Sequence, residues 1–349
     1  MNNRKKELAI IHVVNHMDYG GCQKIVYNII NGIYNNFNDI FLLSRPGHYS
    51  DMIKVIDNVE FIDRSEFNFI KIIKFLFQLK REYSKIIVHT HNRNDILLKF
   101  FLNKKHVHLH TFHSAYLDKN YIYKFLKPQY SFSISSTVKK YLEKHNIKST
   151  IIYNGIEIKD VKYRREFNYT SPKLLYVGRI SKEKGLRELL EAVLSMNLKP
   201  FKKFTLDIIG NGDLIDDYKE YAKRNSNNKT SLNFLGFKSD PWERINEYDL
   251  LVIPSHFEGF CLVGAEAASM GVPIIANDIL ALREVLDFLP NECFFDIKKN
   301  DSVQQTIDYA LNHRALICDL SNKGIDNATR KFSNKNMIKQ YLKFYEFFR

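Results

Sequence analysis

Short runs of aliphatic and β-branched residues alternate with segments of three- and four-residue apolar spacing, twice over, along this 349-residue chain. In the first half LAIIHVV, DIFLLS, VEFID, KIIVHTH and HVHLHTF read as buried strands, and YSFSIS and STIIYNGIE close the series. Between them GGCQKIVYNIINGIY and FNFIKIIKFLFQLKREY carry the helical period. A second series runs PKLLYVG, LDIIGNG, LNFLGF, DLLVIPS, PIIAND and CFFDI. Among its helices is GLRELLEAVLSM, with Leu186, Leu189, Leu190, Val193 and Leu194 on one stripe. Strands that are apolar throughout need cover on both faces, and repeated β-α-β order supplies it as parallel sheets flanked by helices. The expected architecture is α/β: two Rossmann-like βαβ domains facing each other across a cleft. The expected boundaries are residues 1–160 for the first domain and 161–332 for the second. The terminal helix, 333–349, could pack on either and is expected back on the first. The polar, aperiodic stretch 155–172, GIEIKDVKYRREFNYTSP, reads as a linker.

Composition narrows the function classes. The chain is 45% hydrophobic and 26% charged, with no low-complexity tract, as a folded globular protein should be. Its four cysteines, Cys22, Cys261, Cys293 and Cys318, show neither CxxC spacing nor a disulfide framework, which suits a reducing cytoplasm. The N-terminal MNNRKKELAIIHVVNHMDYGG is basic at first, but its apolar run is short and broken by His12, Asn15 and His16; it reads as a first strand and not as a signal peptide. No apolar run approaches the roughly 18 residues of a membrane span. The net charge of +13 is uneven: residues 1–150 carry 23 Lys/Arg against 12 Asp/Glu, and the remainder 29 against 27. Such asymmetry suggests a polyanionic partner, either nucleic acid or an anionic membrane face, unless the lysines merely decorate the surface.

The residues with chemistry fall where strands meet helices. PSHFEGFCLVGAEAASMGVPIIAND places Glu258 and Glu266 eight positions apart between two buried strands. A buried unpaired carboxylate is costly, so these acids are either solvated loop residues or ligand contacts. In parallel sheets ligands bind beyond the carboxyl ends of the strands. LLYVGRISKEKGLRELL follows a strand with Gly178, Arg179 and Lys184, then opens a helix at Gly185; cations and free helix N–H groups around one point suit a phosphate. LDIIGNGD repeats the strand-to-glycine turn at Gly210 and Gly212, for which a tight turn is an equal explanation. In the first half Gly20 and Gly21 offer backbone amides to an anionic or sugar ligand, or simply turn the chain. The histidines of HTHN (His89, His91) and HLHTFHSAY (His108, His110, His113) lack a carboxylate or cysteine at a convincing metal spacing, so no metal site is expected. His113 follows its strand at the carboxyl end, where a cleft ligand would lie.

Taken in order, GGCQK, TFHSAY, VGRISKEKG, IIGNGD, LNFLGF, EGFCLVGAEAASMGVPIIAND and KFSNKNMIKQYLKFYE resemble the large retaining GT-B glycosyltransferase family, family 4. That family includes bacterial lipopolysaccharide, O-antigen and capsule transferases, and sucrose and glycogen synthases. The resemblance covers most of the chain and is more specific in the second half. The Glu258–Glu266 pair is similar to the family's E-x7-E signature. The resemblance implies that Glu266 holds the ribose hydroxyls. It places Glu258 at the donor sugar, with the backbone of Gly259, Phe260, Cys261 and Leu262. Arg179 and Lys184 would neutralise the diphosphate leaving group, and His113 would hydrogen-bond the donor sugar. Gly21, Gly210 and Phe237 complete the expected donor and nucleotide contacts. Two positions depart from the pattern: Gln23 stands where the family often has Glu, and Leu280-Ala281 where it has a Gly-Gly turn.

The implied function is a retaining transfer of a hexose or N-acetylhexosamine from a nucleotide sugar, UDP favoured, to a lipid-linked saccharide acceptor. The setting is bacterial envelope polysaccharide synthesis, at the inner face of the cytoplasmic membrane. No cofactor or metal is expected, because no DxD-like motif sits at a strand end and two cations can take a metal's place at the leaving group. Two other readings remain at this stage: a GT-B-like sugar-nucleotide epimerase, and a basic nucleic-acid-binding protein. Against the latter, the basic residues lie on no recognisable reading helix, so no nucleic-acid partner is expected.

Overall fold

The computed structural model describes residues 5–66, 69–115, 126–159, 170–196 and 203–349. The chain divides into two compact units, Met1–Gly155 with Phe332–Arg349, and Ile156–Lys331. Most of the stretch read as a linker, 155–172, lies outside the described residues.

The first unit is built on seven strands: β1 (Lys6–His16), β2 (Ile40–Arg45), β3 (Val59–Asp63), β4 (Tyr83–Thr90), β5 (Val107–Phe112), β6 (Tyr130–Ser133) and β7 (Thr150–Ile151). They lie in the order β3-β2-β1-β4-β5-β6-β7, and every pairing is parallel. The order reverses between β1 and β4, the point at which such sheets leave a crevice at their carboxyl ends. Helix α1 (Gly21–Ile33) buries Ile25, Val26, Ile29, Ile30 and Ile33, one helical stripe. Helices α2 (His48–Ile53), α3 (Phe69–Glu82) and α4 (Ser136–Glu143) follow, the last capped by Ser135, whose hydroxyl accepts from the Val138 amide at 3.0 Å.

The second unit repeats the plan with six strands: β8 (Lys173–Val177), β9 (Phe204–Ile209), β10 (Thr230–Gly236), β11 (Leu250–Ile253), β12 (Ile274–Asn277) and β13 (Phe294–Phe295). Their order is β10-β9-β8-β11-β12-β13, again all parallel, with its reversal between β8 and β11. Helices α5 (Leu186–Ser195), α6 (Ile215–Arg224), α7 (Leu262–Ser269), α8 (Leu280–Val285), α9 (Asn300–Asn312) and α10 (Arg314–Phe332) connect and cover it. Both sheets have the doubly wound order that the alternating pattern implied.

The last helix, α11 (Asn334–Phe347), belongs to the first unit and packs against α1. Gly32 permits the contact, because a Cβ there would meet the Ile338 side chain at 2.4 Å. Tyr341 and Tyr345 lie on one face of α11 and are buried over the sheet. The Tyr345 hydroxyl meets His89 Nδ1 at 2.6 Å, and the Tyr341 hydroxyl meets Thr111 Oγ1 at 3.1 Å. Burial therefore comes with polar satisfaction, as it must for hydroxyls in a dry interface. No helix among the described residues is long and apolar enough to cross a membrane.

Candidate active site

In the second unit the order reversal brings together the loops that leave β8 and β11. The exit from β8 is held by backbone bonds to its neighbours: Gly178 N donates to Ile209 O at 3.0 Å, and Ile180 N to Asn211 O at 2.9 Å. Gly210 N in turn donates to Gly236 O at 2.9 Å, so three loops are stitched side by side. Close approach explains the glycines. At Gly210 (φ +150) a Cβ would lie 1.8 Å from Gly178 O, and at Gly185 (φ +67) it would lie 2.0 Å from Pro254 O. Gly210 therefore shapes the loop bundle, which its spacing alone left open.

Lys184 leaves the β8 loop just before α5, and Glu258 leaves the β11 loop just before α7. Lys184 Nζ and Glu258 Oε1 are 2.6 Å apart, with side chains only 25% and 10% exposed. The Ser255 hydroxyl donates to the same oxygen at 2.9 Å. Asn277, at the end of β12, fixes this loop by donating from Nδ2 to Ser255 O at 3.0 Å. The neighbouring His256 Nε2 is 2.7 Å from Glu188 Oε1 of α5, and its amide donates to Glu183 O at 2.9 Å. The result is a lysine–carboxylate pair held by two loops and a helix, at the place where a doubly wound sheet takes its ligand.

The other expected residues are placed as follows. Arg179 is exposed beside this pair in sequence, and among the described residues its guanidinium joins no ion pair; its carbonyl accepts from the Tyr176 hydroxyl at 2.9 Å. Gly259, Phe260 and Cys261 are buried at the start of α7, and Leu262 is its first residue. Cys261 caps that helix, its Sγ accepting from the Gly264 amide at 3.3 Å. Burial, with the Glu258 charge nearby, pushes the Cys261 thiol well above its usual range, so it stays protonated. Glu266 lies one turn further on and pairs with a residue that the sequence reading did not single out: Trp242 Nε1 donates to Glu266 Oε2 at 2.9 Å. A buried indole needs an acceptor, and Trp242 is only 4% exposed, which is the signal that could have found it. Phe237 is half exposed after β10. At the family's Gly-Gly position Leu280 is 66% exposed and opens α8, whose Arg283 closes back on Asp278 at 2.7 Å.

The first unit carries Gly21 and His113. Gly21 is exposed at the first position of α1, and Gln23, two residues on, meets His16 Nε2 at 3.2 Å. His113 is the outer member of a buried histidine group. The register of β1 on β4 sets His12 opposite His89. His12, His89 and His91 then present ring nitrogens within 4.8 Å of one another. His91 Nδ1 meets His113 Nε2 at 3.0 Å, and His12 Nδ1 meets His91 Nε2 at 3.1 Å. On the opposite face of the sheet Thr90 Oγ1 joins His108 Nε2 at 3.1 Å and His110 Nδ1 at 2.8 Å. Burial lowers the basicity of all these rings: His12 and His108 to about 3, His113 to about 4, and His89, His91 and His110 well below 6.5. Neutral imidazoles are metal ligands in chemistry, but His89 already uses Nδ1 on Tyr345 and Nε2 on Thr111, at 2.8 Å.

The second unit resembles a known family. Residues 158–331 match the model described as glycosyl transferases group 1, almost coextensive with Ile156–Lys331. This unit is similar to that family along nearly its whole length. The chain is 28% identical over 203 residues to the Escherichia coli O-antigen biosynthesis glycosyltransferase WclY, a match covering 56% of this chain and 54% of that protein. It is 27% identical over 164 residues to the Staphylococcus aureus capsular polysaccharide biosynthesis glycosyltransferase CapM, covering 46% and 42%. The chain thus spans about half the length of the curated relatives it matches. Among solved structures, Anabaena HepE in complex with UDP and glucose superposes with a TM-score of 0.77 at 13% identity, covering 97% of this chain and 99% of that one. That likeness shows the fold, GT-B, with its two Rossmann-like domains.

Proposed function

We propose that the chain transfers a hexose or N-acetylhexosamine from a UDP-sugar, with retention, to a lipid-linked saccharide in envelope polysaccharide assembly. The observation that carries this reading is the Lys184–Glu258 pair at the strand-order reversal of the glycosyltransferase domain, with Arg179 and Glu266 on the adjoining elements. Support for the donor comes from HepE, solved with UDP and glucose, and support for the setting from relatives named for O-antigen and capsule synthesis. In this reading Lys184 exchanges Glu258 for the departing diphosphate when donor binds, and Arg179 adds a second positive charge. Fixed cations at the leaving group stabilise the charge that develops as the sugar–phosphate bond breaks. Glu258, released from Lys184, takes the donor sugar's hydroxyls, and Glu266, oriented by Trp242, takes the ribose. No metal enters this scheme.

The test is a panel of nucleotide sugars assayed for hydrolysis, then for transfer to synthetic lipid-diphosphate saccharides, with and without EDTA. The expected result is UDP release with one sugar, a longer glycan of retained configuration, and activity unchanged by EDTA. An isomerised free nucleotide sugar with no glycan product would make the protein an epimerase, and strict dependence on a divalent ion would remove the cation-only leaving-group site.

The acceptor's lipid suggests where the enzyme works. Helix α3 buries Ile72, Leu76 and Leu79, yet its Phe69, Ile70 and Phe77 are exposed. Leu97 and Phe100, in the 3-10 turn that follows β4, are exposed as well, and the Phe69 and Phe101 rings touch with centroids 5.8 Å apart. Lysines ring these residues: Lys80 Nζ lies 3.9 Å above the Phe77 ring, and Lys99 Nζ 4.8 Å from that of Phe100. Apolar side chains beyond those needed for packing, edged with lysines, suit an anionic bilayer surface, where each basic residue contributes about 1 kcal/mol. Sedimentation with vesicles should show binding to anionic lipid, much reduced by high salt and by Phe77→Ser with Phe100→Ser, and little binding to neutral lipid. Indifference to anionic vesicles at low salt would point to a soluble acceptor.

A further inference from the structure

At the amino end of the first unit's sheet the chain enters β5 through residues 103–106 and β6 through 127–129. These two approaches wall a shallow pocket of about 330 Å³, closed on one side by Lys99 and Phe100 of the 3-10 turn Arg93–Phe101. The crevice of a doubly wound sheet lies at the opposite, carboxyl end, so the sugar transfer proposed above makes no use of this pocket.

Its charge is one-sided. Lys99, Lys104 and Lys127 line it, no described lining residue is acidic, and among the described residues none of the three joins an ion pair. More cations stand behind them: Lys5 Nζ donates to Lys80 O at 2.6 Å, and Lys80 Nζ to Phe101 O at 2.7 Å. Burial, then the charges of Lys80, Lys5 and Lys105, hold the His106 ring below its ordinary 6.5, so it is neutral at pH 7.

Neutral donors complete the wall, and backbone groups fix where their hydrogens lie. The Ile86 amide donates to His106 Nδ1 at 3.2 Å, so the neutral ring carries its hydrogen on Nε2. That ring is only 4% exposed and lines the pocket, and Nε2 has no partner among the described residues. Gln129 Oε1 accepts from the His108 amide at 2.9 Å, which leaves the NH₂ of this exposed side chain to donate. The Lys127 carbonyl is likewise taken, by Lys99 Nζ. His108 closes the floor, and its Nδ1, sealed from solvent, takes no part. Cations and N–H donors around one space, with the nearby acceptors already used, suit a phosphate.

We propose that this pocket is a headgroup site, which takes the phosphate of an anionic phospholipid on Lys104, Lys127, His106 and Gln129. A lipid is favoured over a soluble phosphate because Phe100, which lines the pocket, is 63% exposed and Leu97 beside it 38%. Apolar side chains at the rim serve glycerol and acyl groups and are idle toward a free anion. The proposal rests on the reading of this face as a membrane surface and adds a saturable site to its diffuse attraction.

The test uses the full chain and phosphatidylcholine vesicles brought to equal negative charge with phosphatidylglycerol or with oleate. Binding should be at least about fivefold tighter with phosphatidylglycerol; equal binding would mean that charge alone is read and would overturn the site. Lys104→Gln with Lys127→Gln should weaken binding to phosphatidylglycerol vesicles at least about tenfold more than Lys74→Gln with Lys105→Gln. The second pair removes the same charge from exposed positions that do not line the pocket. Equal losses from the two pairs would remove the pocket and leave the membrane face standing. Gln129→Ala, which changes no charge, should weaken binding to phosphatidylglycerol vesicles and leave binding to oleate vesicles as it was; no effect on either contradicts the site. Glycerol phosphate and inorganic phosphate should compete only weakly, and either one binding as tightly as the vesicles would reassign the pocket to a soluble phosphate. A wild type that ignores both anionic vesicles removes the membrane face, and the headgroup site with it.

Discussion

Between pH 7 and pH 5 the first unit should unfold while the second stays folded. His12, His89, His91, His108 and His110 are buried in the first unit and neutral there, and burial holds each below its ordinary 6.5. On unfolding each regains that ordinary value, so below pH 6.5 the unfolded chain binds more protons than the native one. Stability is therefore complete above about 6.5 and falls as pH drops toward the folded values, about 3 for His12 and His108. Each group costs about 1.4 kcal/mol per pH unit in that window. Five such groups act in the same direction, which makes the first unit the more acid-labile of the two. The second unit has only His256 and His313, neither of them buried. The single tryptophan, Trp242, lies in the second unit, so its fluorescence follows that unit alone. Circular dichroism should lose amplitude near pH 5–6 while the tryptophan signal stays native. Coincident loss of both signals, or no change down to pH 4, would contradict this.

Arg179→Ala and Lys184→Ala should each lower sugar transfer by tenfold or more. On the proposed reading each removes a charge-assisted contact to the diphosphate, worth about 1.5–3 kcal/mol and more where charge builds up. The two variants differ in what else they disturb. Lys184→Ala also strips Glu258 of its partner, leaving a carboxylate only 10% exposed with the Ser255 hydroxyl, so some loss of stability is expected. Arg179 is exposed and, among the described residues, outside every ion pair, so Arg179→Ala should fold as wild type and report on the leaving group alone. Normal transfer by Arg179→Ala and Lys184→Ala would remove the phosphate site.

The strand and helix pattern was readable because it depends only on local periodicity: every strand of both sheets coincides with an apolar run. The meeting of Lys184 and Glu258 was readable for a related reason. Lys184 and Glu258 each follow a strand, and the reversal of strand order in a doubly wound sheet puts the ends of its first and fourth strands side by side. What could not be read was pairing across long separations. His12 stood in the sequence as an interruption of an apolar strand, 77 residues before His89; only the register of β1 on β4 makes them neighbours. The same holds for Tyr341 and Tyr345 over His89 and Thr111, and for Trp242 on Glu266. Each is a buried polar group whose need for a partner was legible, although the identity of that partner was not.

Calorimetric titration of UDP into wild type, Glu266→Gln and Glu258→Gln puts the central claim, a nucleotide-sugar site on the second unit, to its most direct test. Wild type should bind UDP. Glu266→Gln should bind at least about tenfold more weakly, because on the proposed reading it loses a charged hydrogen bond to the ribose. Glu258→Gln should bind UDP as well as wild type or better, since Lys184 no longer has to leave a carboxylate 2.6 Å away, while sugar transfer is lost. Failure of the wild type to bind UDP, or undiminished binding by Glu266→Gln, would contradict the account.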